Sequence, residues 1–474
     1  MIHLNIHDAV RLLDGLVLKE GPDLDIQKIV IHSGDASQGA FFVVLLGSKN
    51  DGHEFIRHAV SLGASGIIGI KEKLDQIVYD LSDFNGWLIG VDDTLKALGK
   101  LAFLVLRKSK AKKIAITGSS GKTTTKEMIA HVLQSNFRVH KTKGNFNNFL
   151  GLPLSVFEIN EDDDVSVLEL GMNAPGEIRW LASIVEPDIG VLTNVQPAHL
   201  QYLRTIERVR DAKAELLTGL DSKSSALVTN LDDQNAKRVA DAFGGRKFFV
   251  SKSKKADLYV DGDIVWNGYT TKALIKSFEQ KNAGVMLKFP YPGSHFVSDI
   301  LLALGVGMIL GVSLESGVSS LKSFTFPSMR FEKTILPQGA LVVFDGYNAN
   351  PSSMRASLEA FMLLASDKEK VMVIGDMLEL GIDAKFYHKE LGGFLARVGC
   401  EVFVIGEFAK DVCLGALQVS DCPNMHVFDL NQKNALALSL SLILSKNHAL
   451  FIKGSRDSHL EDILYRLRAH LTET

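Results

Sequence analysis

One segment restricts the possible fold more than any other: Ile114-Ala115-Ile116-Thr117-Gly118-Ser119-Ser120-Gly121-Lys122-Thr123-Thr124-Thr125. Its apolar start reads as a buried strand, and Gly118-Ser119-Ser120-Gly121 as a tight turn. Lys122 then opens a helix, in which Met128, Ile129, Val132 and Leu133 recur at helical spacing. Strand, glycine turn and helix in this order make a phosphate cradle. Glycines let backbone N–H groups curl around phosphate oxygens, and the helix N-terminus adds partial positive charge. From such a loop Lys122 reaches the β and γ phosphates, and the Thr123 hydroxyl suits Mg²⁺. The turn is shorter than the common phosphate loop, with Ile116 standing where the first glycine would be. A Gly/Ser turn carrying a solvated lysine is the competing reading, and the ordered succession weighs against it.

A cradle of this kind sits at the C-terminal edge of a parallel sheet, so neighbouring strands should end beside it. Asp164–Leu168 reads as such a strand and ends in Glu169, where a Mg²⁺ ligand belongs. A third, Ile189–Thr193, leads through Asn194 and Gln196 to His199. Lys213 follows in Asp211-Ala212-Lys213-Ala214-Glu215, a charged helical stretch on which a lysine is ordinarily solvated.

Strand-like runs alternate with helical patterns almost throughout, which predicts an α/β chain with largely parallel sheets. The 474 residues suggest about three domains. Composition shifts put these at 1–90, 91–324 and 325–474. The first holds short apolar runs at Lys28–Ile31, Ala40–Leu46, Gly66–Ile70 and Trp87–Val91, and a helix over Thr94–Lys108 leads out of it. The second is the phosphate-loop unit; within it Val260-Asp261-Gly262-Asp263 reads as a hairpin turn and Ile300–Leu314 as a buried helix. The third has strands Leu341–Phe344, Val371–Ile374, Val402–Ile405 and Leu450–Ile452, three of them followed by Gly375, Gly406 and Gly454. A net charge of −3 argues against nucleic acid as main partner. Ile300–Leu314 is shorter than the roughly 20 residues of a membrane span, and the start does not read as a signal peptide. Cys400, Cys413 and Cys422 form no CxxC, so neither a zinc site nor a disulfide framework is expected; a reducing cytoplasm fits.

These residues resemble the Mur ligase family, the ATP-dependent amide-forming enzymes of peptidoglycan precursor synthesis. The phosphate loop is similar to theirs, as are Gly144-Asn145-Phe146-Asn147-Asn148-Phe149-Leu150-Gly151, Glu169-Leu170-Gly171-Met172-Asn173, His199 and Ala212-Lys213-Ala214-Glu215. So are Asp345-Gly346-Tyr347-Asn348-Ala349-Asn350-Pro351, Gly375-Asp376-Met377-Leu378-Glu379-Leu380-Gly381, His388 and Lys453-Gly454-Ser455-Arg456. The chain departs from the family pattern at Gly34, usually arginine, and in Gly293-Ser294-His295-Phe296-Val297-Ser298-Asp299, where Phe296 and Asp299 replace amides.

The resemblance implies three domains: a small UDP-binding unit, a central ATPase unit and a C-terminal Rossmann-like unit. Within the family, the Tyr-Asn-Ala-Asn-Pro and Gly-Asp-Met-Leu-Glu-Leu-Gly strings point to the step joining D-alanyl-D-alanine to UDP-N-acetylmuramoyl-tripeptide through an acyl phosphate. It implies ATP on Gly118, Ser119, Ser120, Gly121, Lys122, Thr123, Thr124, Asp299, Arg330, Tyr347 and Asn350. Mg²⁺, with Mn²⁺ as a substitute, falls to Thr123, Glu169 and His199. Lys122, Lys213 as a carbamate, His199 and Asp345 are the implied catalytic set. Ser33, Gly47, Asp51, His53, Asn145, Asn147, Asn148, Asn173, His388 and Arg456 are the implied substrate contacts. A cytoplasmic monomer without a membrane span is expected. A folate-elongating ligase of the same superfamily, a motion-driving phosphate-loop NTPase and a non-catalytic UDP-sugar binder are the alternatives.

Overall fold

The computed structural model describes every residue except 1, 48–49, 268, 279–283, 422 and 473–474. Its architecture is the expected mixed α/β one, built around three large, mostly parallel sheets. Near the N-terminus, Lys28–Val30, Ala40–Val43, Gly66–Ile70 and Trp87–Val91 pair in parallel, and Leu16–Lys19 closes the edge antiparallel to Trp87–Val91. The helix Thr94–Lys108 is capped by Asp93, whose side chain accepts from Lys96 N. Its Leu98, Leu101 and Val105 share one apolar core with Ile68 and Ile89 before it and Leu168 and Leu181 after it.

In the central sheet, Lys112–Thr117 lies between Val165–Glu169 and Ile189–Leu192, all parallel. That order brings Glu169 and the residues after Leu192 to the two sides of the phosphate loop. The sheet continues through Ala226–Asn230 and Arg246–Ser251. The expected hairpin at Val260–Asp263 is not one. Leu258–Val260 and Val265–Asn267 do not pair with each other; both pair antiparallel with successive parts of Thr270–Ser277. Gly262, at φ +87°, therefore bends a strand path that the following strand continues to match. The buried helix also begins earlier and ends sooner than expected, at Ser294–Ile309. Gly311 in the left-handed region then turns the chain into a second helix, Leu314–Ser320, capped by Ser313.

The third sheet runs Glu332–Ile335, Leu341–Asp345, His448–Lys453, Glu369–Ile374, Glu401–Ile405, Met425–Phe428. Only its first pair is antiparallel. Beside it the helices Ala384–Val398 and Ala409–Leu417 meet backbone to backbone. A Cβ on Gly392 would lie 1.8 Å from Val412 O, and one on Gly415 1.9 Å from Lys389 O, so no larger residue fits either place. Cys400 and Cys413 are free thiols, and Cys422 lies outside the described residues. No described helix is long and apolar enough to cross a membrane.

Candidate active site

The phosphate loop is held open by its neighbours. Gly118 adopts φ +151°, and a Cβ there would sit 1.9 Å from Thr193 Oγ1; at Gly121, φ +79°, it would sit 2.6 Å from Asp299 Oδ1. Ser119 Oγ donates to Gln196 O at 2.8 Å, and Ser120 N donates to Asn194 Oδ1 at 3.0 Å. Lys122 Nζ folds back to Gly118 O at 2.8 Å. Burial pushes its ammonium below the usual lysine value, against the opposing charge of Glu169.

Glu169 is only 2% exposed, yet its side chain is hydrogen-bonded by neutral donors alone: Thr123 Oγ1 at 2.8 Å and Asn147 Nδ2 at 2.9 Å. A buried carboxylate so surrounded suits a cation, because its amide and hydroxyl donors carry no positive charge of their own. Lys213 is fully buried rather than solvated, and its Nζ has no hydrogen-bond partner. Burial pushes its pKa well down and repulsion from Lys122 adds to this, while Glu169, Glu177 and Glu215 oppose.

The C-terminal sheet supplies the facing wall. Arg330 stacks over Tyr347, 4.1 Å from guanidinium carbon to ring centre, and its Nη2 donates to Thr123 Oγ1 at 2.9 Å. Asn350 caps the helix Pro351–Leu364 and donates from Nδ2 to Ser120 Oγ at 3.0 Å. Asp345 is tied down by Lys453 Nζ at 2.6 Å and Ser357 Oγ at 2.7 Å. Burial raises its carboxyl, but Lys453 and Ser357 outweigh that and hold it below the ordinary value.

Together these residues enclose a cavity of about 840 Å³. Ser119 to Thr124, Asn145, Asn147, Asn148, Glu169, Asn173, His199, Asp299, Arg330, Asp345, Tyr347, Asn350 and Arg456 all line it. Asp299 accepts from Thr125 Oγ1 at 3.1 Å, and burial lifts its carboxyl to about 7. His199, at φ +54°, holds Nδ1 2.6 Å from a Glu379 carboxylate oxygen. Burial lowers its pKa, and Glu379 works the other way. No group of three or more His, Cys, Asp or Glu side chains poised around one metal position occurs among the described residues.

Several expected substrate residues stand elsewhere. His388 is 1% exposed and uses both ring nitrogens internally: Nδ1 meets Ala384 O at 2.7 Å and Nε2 accepts from Met377 N at 3.0 Å. It shapes the Gly375–Leu380 turn and cannot touch a ligand in the cavity, a correction to its expected contact with the dipeptide. In the N-terminal unit, Asp51 bonds His53 Nδ1 at 2.6 Å and also Lys73, and His53 Nε2 accepts from Ile70 N at 3.0 Å. Ser33 Oγ meets His58 at 3.0 Å, and Gly47 N donates to Asn50 O. These four lie outside the cavity lining. Glu379, His295, Lys453 and Lys252 line it as well. Spacing alone offered no signal for Lys252; Glu379, His295 and Lys453 lie within segments compared with the family pattern.

Comparison with known proteins decides the family. Residues 116–307 match the Mur ligase middle domain and residues 329–456 the Mur ligase, glutamate ligase domain. The UDP-N-acetylmuramoyl-tripeptide–D-alanyl-D-alanine ligase of Bacillus subtilis is 32% identical over 93% of this chain and 92% of its own length. This chain belongs to the Mur ligase family. The Escherichia coli enzyme of the same name is 28% identical, covering 100% of both chains. Among solved Mur ligases, a MurF structure from Acinetobacter baumannii superposes with a TM-score of 0.88 at 26% identity, covering 99% of both chains. MurF ligase from Thermotoga maritima, solved in complex with ADP, gives 0.82 at 28% identity over 94% of this chain and 98% of that one.

Proposed function

We propose that this Mur ligase uses ATP to join the free amine of D-alanyl-D-alanine to the terminal carboxylate of UDP-N-acetylmuramoyl-tripeptide, releasing ADP and phosphate. The relatives that match it over nearly their full lengths carry that name. The observation that carries the reading is the single cavity in which the phosphate loop of one sheet faces Arg330, Tyr347 and Asn350 of another. We assign 1–90 to the UDP-sugar, 91–324 to ATP and 325–474 to the incoming dipeptide.

Amide formation in water is uphill, so the carboxylate must first become a better acyl donor. Transfer of the γ-phosphoryl group breaks its bond to ADP and forms an acyl phosphate. Two anions meet in that step, and the loop N–H groups, Lys122 and Arg330 offset their repulsion. The amine then attacks the acyl carbon, and phosphate leaves with its bonding pair.

Mg²⁺, or Mn²⁺ in its place, would be held by Thr123 and Glu169 with His199 nearby, and would neutralise phosphate charge. The buried Glu169 carboxylate, hydrogen-bonded only by neutral donors, favours such an ion. The unpartnered Lys213 amine favours carbamylation, since the uncharged amine is the form that adds to CO₂. A carbamate would place two oxygens at the end of a stem whose ammonium Lys122 repels. Asn145, Asn148, Asn173 and Arg456 are left to hold the peptide ends of the two substrates, and Ser33 and Gly47 the uridine nucleotide. ATP as cosubstrate supports a cytoplasmic reaction, and we keep a monomer as the reading of its oligomeric state.

ADP release measured with UDP-N-acetylmuramoyl-tripeptide, with and without D-alanyl-D-alanine, tests this. Sustained turnover should need both. Equal ADP release without either substrate would instead make the chain a simple nucleotide hydrolase.

A further inference from the structure

Glu379 occupies an unusual place. It is a non-glycine residue at φ +63°, a costly conformation that persists only where surroundings impose it. That backbone turns its carbonyl onto Gln201 N at 3.0 Å and its carboxylate onto His199 Nδ1 at 2.6 Å. His199 is itself left-handed at φ +54°. Two residues on, Gly381 at φ +60° lies so close to the same stretch that a Cβ there would be 2.9 Å from Gln201 Cα. Two irregular turns from different sheets thus interlock, backbone on backbone, at the rim of the cavity. No hydrogen bond joins His199 Nε2 to any described residue, and the ring lines the cavity.

We infer that Glu379 is a positioning residue that fixes the ring orientation and tautomer of His199, so that His199 is ready for its task only when the C-terminal unit is seated. A carboxylate beside Nδ1 keeps the proton there and leaves the Nε2 lone pair free to face the cavity. The contact at His199 Nδ1 is close but bent, so the side chain and the turn carrying it must both be in place for it to act. This inference rests on the proposed place of His199 beside the ion held by Thr123 and Glu169.

Two variants separate side chain from backbone. Glu379→Gly accepts the positive φ and keeps the carbonyl that meets Gln201, but loses the carboxylate. Glu379→Gln keeps an oxygen that can accept from Nδ1–H. Imidazole ¹⁵N signals of His199, identified by loss in His199→Ala, should report Nδ1–H in the parent at fixed pH without substrates. In Glu379→Gly they should move toward the Nε2–H form, and kcat should fall about 10- to 100-fold, the range expected for loss of such a partner. KM for D-alanyl-D-alanine should change much less, and Glu379→Gln should recover much of both signals and rate. Unchanged ¹⁵N signals in Glu379→Gly overturn the inference, whatever happens to the rate. So does a kcat within about twofold of the parent, roughly 0.4 kcal/mol of barrier. If the parent itself joins no dipeptide, the proposed function fails while the tautomer measurement still decides the role of Glu379.

Discussion

Two polar corners of this molecule look alike in sequence and differ in kind. At the phosphate loop, Glu169 and Lys213 are buried without charge-compensating hydrogen bonds. In the N-terminal unit, Asp51, His53 and Lys73 saturate one another and the Ile70 N–H. Buried polar groups are costly when unpaired, so a corner that leaves them unpaired is built around something else that completes it. A corner that closes on itself is holding up a loop. The first arrangement predicts effects on turnover, the second effects on stability.

The sharpest break in that contrast would come from Lys122→Ala. Turnover should fall at least about 100-fold, since a charge aimed at developing phosphate charge is removed. The thermal midpoint should hardly move, because its one side-chain hydrogen bond is local, to Gly118 O. A rate within about tenfold of the parent, 1.4 kcal/mol of barrier, would refute the phosphate-loop assignment.

Lys213 should come next. Lys213→Ala should lose most activity and regain part of it in millimolar acetate, which occupies the vacated space. Lys213→Arg should stay inactive, since a guanidinium keeps its charge. Steady-state rates across an acetate series check this, and an active arginine variant ends the carbamate proposal.

Asp51→Ala belongs to the other corner. It should cost about 1–3 kcal/mol at neutral pH by leaving His53 and Lys73 unpaired, with smaller effect on kcat. Burial raises the Asp51 carboxyl, but Lys73 and His53 prevail and hold it well below its ordinary value. Its contribution is therefore full above the unfolded carboxylate pKa and is lost as pH falls through the depressed folded one. Denaturant midpoints of parent and variant should converge on acidification from pH 5 downward; a constant gap would contradict the pairing.

An effect on stability alone, with the opposite pH sign, is expected at Asp299, whose one side-chain hydrogen bond comes from Thr125 Oγ1. Its folded pKa, raised by burial to about 7, means that stability is highest below the unfolded value and declines as pH rises through 7. Asp299→Asn should remove that slope, raising the thermal midpoint at pH 8 more than at pH 5. Parallel melting curves at the two pH values would show that the carboxyl ionises freely.

The parts of the site that ride on regular elements were legible. Glu169 was readable because a parallel strand beside a phosphate loop must end next to it. Lys213 was not readable as buried: Arg208, Arg210 and Asp211 give its helix a solvated pattern, and only packing against neighbouring helices of the same unit hides one of its faces. His388 misled because an internal histidine and a ligand-binding one share a letter; its two hydrogen bonds decide, and both are tertiary. Gly262 failed for a similar reason. A turn residue announces a bend, but whether the flanking strands pair with each other depends on a third strand. Glu379 needed a backbone angle that nothing in Gly375-Asp376-Met377-Leu378-Glu379 foretells.

The two helices locked through Gly392 and Gly415 have a mechanical consequence. With main chains in contact they cannot slide or rotate past one another, since any shear meets carbonyl oxygens rather than yielding side chains. The helix Ala384–Val398 begins just after the turn that carries Glu379, so that turn leaves from a braced block rather than from a yielding one.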